Sequence, residues 1–137
     1  MLILEEKDIL KVVGSLRDIV NQYNDNVVIL LQGDLASGKT TFVKNYVKFL
    51  GLEDEVLSPT FSLQSIYSDK IYHYDVYNKT LEEFISLGLL EEFEKKGTHF
   101  VEWGDDKLKS ILLDYGFDVI TLKINKLDNK REYIIES

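Results

Sequence analysis

The sequence predicts an α/β fold in which a mixed, largely parallel sheet is flanked by helices and followed by a C-terminal antiparallel hairpin. Segments with apolar residues at helical spacing alternate with short runs rich in β-branched residues, which is the pattern of α/β proteins. Residues 27–31 are apolar throughout, as in a strand buried on both faces. The length of 137 residues fits a single domain, residues 1–137.

The first half of the chain predicts two strands and two helices. Residues 2–4 form a short strand, and residues 7–23 carry apolar side chains every three or four positions, as an amphipathic helix does. Residues 27–31 form the central strand. After a glycine-containing loop, residues 39–50 repeat the helical spacing, and Gly51 is suited to end that helix.

The second half predicts five more strands around one helical region. Residues 61–67 and 70–77 are strands joined by a Ser-Asp turn, and residues 81–96 are helical, with a break expected at Gly88. Residues 98–103 form a short strand. Residues 119–127 and 131–136 alternate in polarity around Asp-Asn-Lys, which indicates a hairpin.

Composition excludes several classes of function. The net charge of −8 disfavours direct binding to a nucleic-acid backbone. The absence of cysteine excludes disulfides, thiolate metal sites and cysteine nucleophiles. The N-terminus lacks the basic and apolar pattern of a signal peptide, and no apolar run is long enough to cross a membrane. We therefore expect a cytoplasmic protein that has no membrane partner.

The segment from Gly33 to Thr40 reads Gly-Asp-Leu-Ala-Ser-Gly-Lys-Thr, an intact G-x-x-x-x-G-K-[ST] motif. Glycines let the backbone curl around phosphate oxygens, and the N-terminus of the next helix faces the anion. Lys39 is placed for the β- and γ-phosphates, and Thr40 for magnesium. Because the motif follows a buried strand and opens a helix, it predicts a P-loop NTPase domain.

A P-loop nucleotidase also needs an acid at the end of another strand, near the metal. Glu102 and Asp75 both end predicted strands. We favour Glu102 for magnesium, and Asp75 for orienting the attacking water or the metal shell. A solvated strand-end carboxylate is the alternative for each. His73 shares the face of Asp75 and is either its hydrogen-bonding partner or structural, whereas His99 is expected to be structural.

Two further segments invite a functional interpretation. Ser58-Pro59-Thr60 is either a switch that senses the γ-phosphate or a rigid turn. Residues 125–128 spell N-K-x-D, the guanine-reading motif of GTPases. No aspartate has a glycine three residues later, so the D-x-x-G motif of GTPases is missing, and we attribute the match to chance.

Together these motifs resemble the TsaE family, formerly called YjeE. The resemblance rests on the phosphate loop with Thr41 and Phe42, on Ser-Pro-Thr-Phe at 58–61, on His-Tyr-Asp-Val-Tyr at 73–77, on Leu-Gly at 87–88 and on Val-Glu-Trp at 101–103. It implies an ATPase of tRNA threonylcarbamoyladenosine biosynthesis that uses ATP and Mg²⁺ in a complex with TsaD and TsaB. Within that complex TsaD modifies the tRNA position next to the anticodon, so contact with tRNA is only indirect.

The resemblance also implies residue roles. It makes Lys39, Asp75 and the switch threonine Thr60 catalytic, and it makes Thr40 and Glu102 the magnesium ligands. The expected nucleotide-binding residues are Gly33, Leu35, Ala36, Ser37, Gly38, Lys39, Thr40, Thr41, Trp103 and Arg131.

The chain departs from the family pattern at two places. Ala36 and Ser37 replace Gly-Ala at unconstrained positions of the loop, so we expect ATP binding to survive. Asn78 replaces an arginine, which puts any role of that arginine in doubt.

Two other functions remain open at this stage. One is a small metabolite kinase, but kinases of that kind neutralise the transferring phosphate with several arginines, and this chain has only Arg17 and Arg131. The other is a nucleotide-binding regulator with little turnover. The low arginine count also predicts weak ATPase activity for the isolated chain and faster turnover with partners.

Overall fold

A computed structural model describes residues 8–34, 38–57, 63–77, 79–128 and 130–137, together with the backbone of residues 2–5. These residues form seven strands and five helices. In chain order they are β1 Leu2–Glu5, α1 Ile9–Asn21, β2 Val27–Gln32, α2 Lys39–Phe49, β3 Gln64–Tyr67, β4 Ile71–Asp75, α3 Leu81–Ser86, α4 Leu89–Glu92, β5 Thr98–Glu102, α5 Asp106–Asp114, β6 Val119–Leu127 and β7 Lys130–Glu136.

All seven strands belong to one sheet with the order β1-β7-β6-β2-β5-β4-β3. The four central strands β6, β2, β5 and β4 are parallel, while β3 at one edge and the β7-β1 pair at the other are antiparallel. The predicted mixed α/β fold and its C-terminal hairpin are therefore confirmed. The parallel pairing is confined to the middle of the sheet.

Helices cover both faces of the central strands, and this explains why β2 is apolar throughout residues 27–31. Ile29 and Leu31 point into a core with α1 and α2, whereas Val28 and Leu30 point into a second core with α3, α4 and α5. Side chains alternate between the two faces of a strand, so both sets can be fully buried. The five residues from 27 to 31 are each at most 3% exposed.

Two predicted segments extend more than two residues beyond the elements in the structure, and one helix was missed. Strand β3 begins at Gln64, after Leu63 adopts a φ of +66°, which interrupts an extended chain. The helical region breaks at Gly88, whose φ is +74°, and ends at Glu92. Helix α5 was not predicted, although Asp105 accepts a hydrogen bond from Leu108 N at 2.8 Å as an N-cap.

The carboxyl ends of the parallel strands bring the predicted acids to one edge of the sheet. Leu31 of β2 and Asp75 of β4 are the register partners of Glu102 on the two sides of β5. The loop that leads from β2 into α2 starts at the same edge, which is where ligands bind in open α/β sheets. No helix in the described part of the chain combines the length and the apolar character needed to cross a membrane.

Candidate functional site

The loop between β2 and α2 forms the centre of the site. Gly38 precedes the first turn of α2 with a φ of +101°, in the left-handed region that glycine tolerates best. Lys39, Thr40 and Thr41 follow as the first three residues of the helix. Gly33 lies at the other end of the loop. Leu35, Ala36 and Ser37, which the sequence assigned to nucleotide binding, lie outside the described residues.

Lys39 is only 4% exposed, and its ammonium group lies within the loop. Its Nζ donates hydrogen bonds to the backbone oxygens of Gly33 at 2.7 Å and Asp34 at 2.9 Å. The same atom lies 3.7 Å from the centroid of the Trp103 ring, in cation–π contact. The loop therefore holds a positive charge at the position where the motif requires one.

Burial lowers the pKa of Lys39, while the carboxylates of Glu102, Asp34 and Asp75 act in the opposite direction. A buried ammonium group that has lost much of its hydration is stabilised by an approaching anion. The environment of Lys39 is therefore suited to an anionic ligand.

Thr40 and Glu102 meet directly between α2 and the end of β5. Thr40 Oγ1 donates to Glu102 Oε2 at 2.7 Å. Glu102 is itself only 4% exposed. The two residues that the sequence assigned to magnesium are therefore in contact, and both present oxygen atoms.

Asp75 lies beside Glu102 at the end of the neighbouring strand β4. It is partly buried, and one of its carboxylate oxygens accepts a hydrogen bond from Tyr77 N at 2.9 Å. Its carboxylate acts to raise the pKa of Lys39, as those of Glu102 and Asp34 do. Asp75 thus belongs to the same site, one strand further from the loop than Glu102.

Trp103 owes its position to an unusual backbone. Its φ is +69°, which is uncommon for a bulky residue, and its N–H donates to Leu31 O at 3.0 Å. The ring also packs against Tyr77, with the two centroids 4.8 Å apart. The chain therefore turns sharply after Glu102 and presents the indole to Lys39. Backbone strain of this kind is often found at functional sites.

Arg131 approaches the loop from strand β7. A methyl group built on Gly38 would lie 3.8 Å from Arg131 Nε. The sequence linked this arginine to the nucleotide only through a family resemblance, and the structure does bring it to the loop. Thr60 lies outside the described residues, so its predicted role as a switch stays a prediction.

His73 has different partners from those that the sequence predicted. It is 0% exposed, and its Nε2 is hydrogen-bonded to Glu102 Oε2, not to Asp75. Its Nδ1 is hydrogen-bonded to the hydroxyl of Tyr67 at 2.8 Å. The sequence correctly placed His73 on the same face of its strand as Asp75. It did not show that β5 pairs with this strand and brings Glu102 next to His73. His99 is structural, as expected, and bonds Tyr74 and the Lys95 backbone.

The fold and the site define an α/β protein in which Lys39 and Thr40 of a G-x-x-x-x-G-K-T motif lie at the carboxyl edge of a parallel sheet, where two strands also end in acids. The family model described as threonylcarbamoyl adenosine biosynthesis protein TsaE matches residues 5–133. The chain therefore belongs to the TsaE family.

Individual relatives agree with this assignment. The chain is 38% identical over 112 residues to tRNA threonylcarbamoyladenosine biosynthesis protein TsaE of Treponema pallidum, covering 79% of this chain and 80% of the relative. It is 34% identical over 120 residues to the Bacillus subtilis protein of the same name, covering 80% and 75%. The crystal structure of Bacillus subtilis YdiB matches with a TM-score of 0.55 and 31% identity, over 78% of this chain and 65% of that chain.

Proposed function

We propose that the chain is a magnesium-dependent ATPase of tRNA threonylcarbamoyladenosine formation, acting in the cytoplasm in a complex with TsaD and TsaB. It modifies the tRNA position next to the anticodon only indirectly, and it is not the transferase. The observation that carries the proposal is the contact between Thr40 and Glu102 beside the buried Lys39. These are the residue types that a P-loop site uses for metal and phosphate.

The residues present fit magnesium bound together with a nucleotide. Magnesium is usually held by one or two carboxylates and by substrate phosphates, and less often by a cage made only of protein. Among the described residues, no group of three or more histidine, aspartate or glutamate side chains is arranged to hold a metal. Thr40 and Glu102 would supply the protein oxygens, and the phosphates and water would complete the shell. When bound, the ion neutralises charge that develops on the phosphates.

In the proposed mechanism the loop binds the phosphates and Asp75 orients the attacking water. Lys39 gives up the oxygens of Gly33 and Asp34 to bind the phosphates, and its cation–π contact with Trp103 limits where the ammonium can move. Asp75, beside Glu102, accepts a hydrogen bond from the attacking water and aligns it. Thr60 acts as the switch that senses the γ-phosphate. Arg131 adds positive charge from the side of β7.

The positions of the two arginines support partner activation and argue against a metabolite kinase. Arg17 is hydrogen-bonded to Asp25, which lies before β2, at the amino end of the parallel strands. Arg131 alone approaches the loop. An arginine supplied by a partner is a common way to stabilise the transition state of P-loop enzymes. We therefore expect slow hydrolysis by the isolated chain and faster hydrolysis in the complex.

The proposal is tested by reconstituting tRNA modification with purified TsaD and TsaB and either wild-type chain or the Lys39→Ala variant. We expect repeated rounds of tRNA modification with the wild type. With Lys39→Ala we expect no repeated rounds, because this variant lacks the phosphate-binding ammonium group. Lys44→Ala is the matched control, because Lys44 lies exposed on the same helix. Equal modification with wild type and Lys39→Ala would refute the proposed role. Phosphorylation of a small metabolite in place of ATP hydrolysis would favour the kinase.

A further inference from the structure

A buried chain of hydrogen bonds runs from the phosphate loop into the β3–β4 hairpin. Thr40 Oγ1 and His73 Nε2 both bond Glu102 Oε2, and the far side of the His73 ring bonds the hydroxyl of Tyr67 at 2.8 Å. His73 is 0% exposed and Tyr67 is 4% exposed. Water therefore does not substitute readily for either bond.

The carboxylate of Glu102 fixes the direction of its bond with His73, and for a neutral imidazole this also sets the direction of the bond with Tyr67. A carboxylate only accepts, so Nε2 of His73 donates to Glu102. In a neutral imidazole the other nitrogen is then an acceptor, and the Tyr67 hydroxyl donates to Nδ1. Tyr67 thus selects the tautomer of His73 that can bond Glu102.

The same bonds fix the orientation of the carboxylate. Thr40 and His73 approach a single oxygen, Oε2, from the loop side and from the sheet side. With Oε2 held in this way, rotation of the carboxyl group is restricted, and these two bonds leave Oε1 for the metal or a metal-bound water. Outer partners that orient a metal ligand are typically worth 10- to 100-fold in metal affinity or activity.

We propose that His73 is a positioning residue that holds Glu102 for magnesium, and that Tyr67 holds His73 in the required tautomer. This inference rests on the proposed function, because it needs Glu102 to serve a metal. It assigns the edge hairpin β3–β4 a direct part in building the metal site. Neither residue touches the nucleotide in this proposal.

The chain contains a matched control on the opposite face of the sheet. Tyr74 donates or accepts a hydrogen bond with His99 Nδ1 at 2.7 Å, and His99 is 1% exposed. This second buried Tyr–His pair lies away from Glu102. Its other hydrogen bonds join His99 Nε2 to the Lys95 backbone oxygen at 2.8 Å and Gln64 Nε2 to the Tyr74 hydroxyl at 3.3 Å. The variants Tyr67→Phe and Tyr74→Phe therefore remove the same buried hydroxyl from two similar environments.

The experiment measures ATP binding by calorimetry, with Mg²⁺ and with EDTA, in wild type, Tyr67→Phe and Tyr74→Phe. The ratio of the two affinities isolates the contribution of magnesium. We expect Tyr67→Phe to reduce this ratio by about 10-fold, while its affinity for ATP in the presence of EDTA stays unchanged. We expect Tyr74→Phe to retain the wild-type ratio even if it is less stable.

A second pair of variants distinguishes positioning from general packing. Gln at position 73 can place a donor near the Nε2 site, whereas Asn places one near Nδ1. We expect His73→Gln to retain more of the magnesium effect than His73→Asn.

The outcomes separate the two proposals. A wild-type chain whose ATP binding ignores Mg²⁺ would refute the proposed function and this inference with it. A clear magnesium effect in the wild type, with equal ratios in Tyr67→Phe and Tyr74→Phe, would overturn only the positioning role.

Discussion

Removing the Glu102 side chain should destabilise the protein even without nucleotide, because two hydrogen-bond donors depend on it. In Glu102→Ala, His73 Nε2 is left without its acceptor in a fully buried site, while Thr40 is partly exposed and can turn to water. An unsatisfied buried donor costs about 1–3 kcal/mol. Relief of repulsion between Glu102 and the neighbouring Asp75 acts in the opposite direction. We expect a net loss of about 2 kcal/mol, or about 6–8 °C in Tm for a domain of this size.

Glu102→Gln makes the prediction specific. Its amide oxygen can still accept from His73 and Thr40, so we expect a Tm within about 2 °C of wild type, although the charge for magnesium is lost. Both variants should lose the magnesium dependence of ATP binding. Glu136→Ala is the control for removing an exposed glutamate, since its ion pair with Lys123 lies at the surface. Scanning calorimetry without nucleotide decides the matter: if Glu102→Ala melts with the wild type, the buried network does not contribute as reasoned.

Three further predictions concern the scaffold and the reporter groups. Gly97→Ala should lower the free energy of unfolding in urea by about 3 kcal/mol, because the φ of Gly97 is +140° and a Cβ there would lie 2.5 Å from the backbone oxygen of Lys70 in the β3–β4 turn. Gly51→Ala should lower it by only about 1 kcal/mol, because the φ of Gly51 is +78° and a Cβ there would meet open space. Burial lowers the pKa of His99, so the contribution of its neutral ring to stability is present above the unfolded pKa of about 6.5 and is lost as the pH falls below that value. The free energy of unfolding should therefore change less between pH 7.5 and pH 5.5 in His99→Gln than in the wild type. An equal change in the two proteins would contradict this. Trp103 is the single tryptophan and lies 3.7 Å from Lys39 Nζ, so saturating ATP should change its fluorescence in the wild type and not in Lys39→Ala.

Much of the fold was predictable because its signals are local. The apolar run of β2 and the glycines of the loop fix the strand–loop–helix unit, and the polarity pattern of β6 and β7 fixes the hairpin. Helix α5 was missed because only Leu108 and Leu112 of its residues are buried, so its apolar stripe is narrow. The start of β3 at Gln64 was missed for another reason, because nothing in the sequence indicates that Leu63 has a positive φ.

The site was predictable only in part, because its residues come from strands that are distant in the chain. Lys39 and Thr40 follow from a local motif. The contact of Thr40 with Glu102 depends on β5 lying beside β2, and the contact of His73 with Glu102 depends on β4 lying beside β5. Sequence periodicity gives the face of a strand but not its neighbour. His73 was therefore linked to Asp75 on its own strand and not to Glu102.

The most direct test of the central claim is the rate of ATP hydrolysis with Mg²⁺, measured for the isolated chain and for the chain mixed with TsaD and TsaB. We predict a slow rate alone, at least a roughly tenfold increase with both partners, and loss of that increase in Glu102→Gln. A rate that the partners do not raise, or one that Glu102→Gln preserves, would contradict the assignment of a partner-activated ATPase to this site.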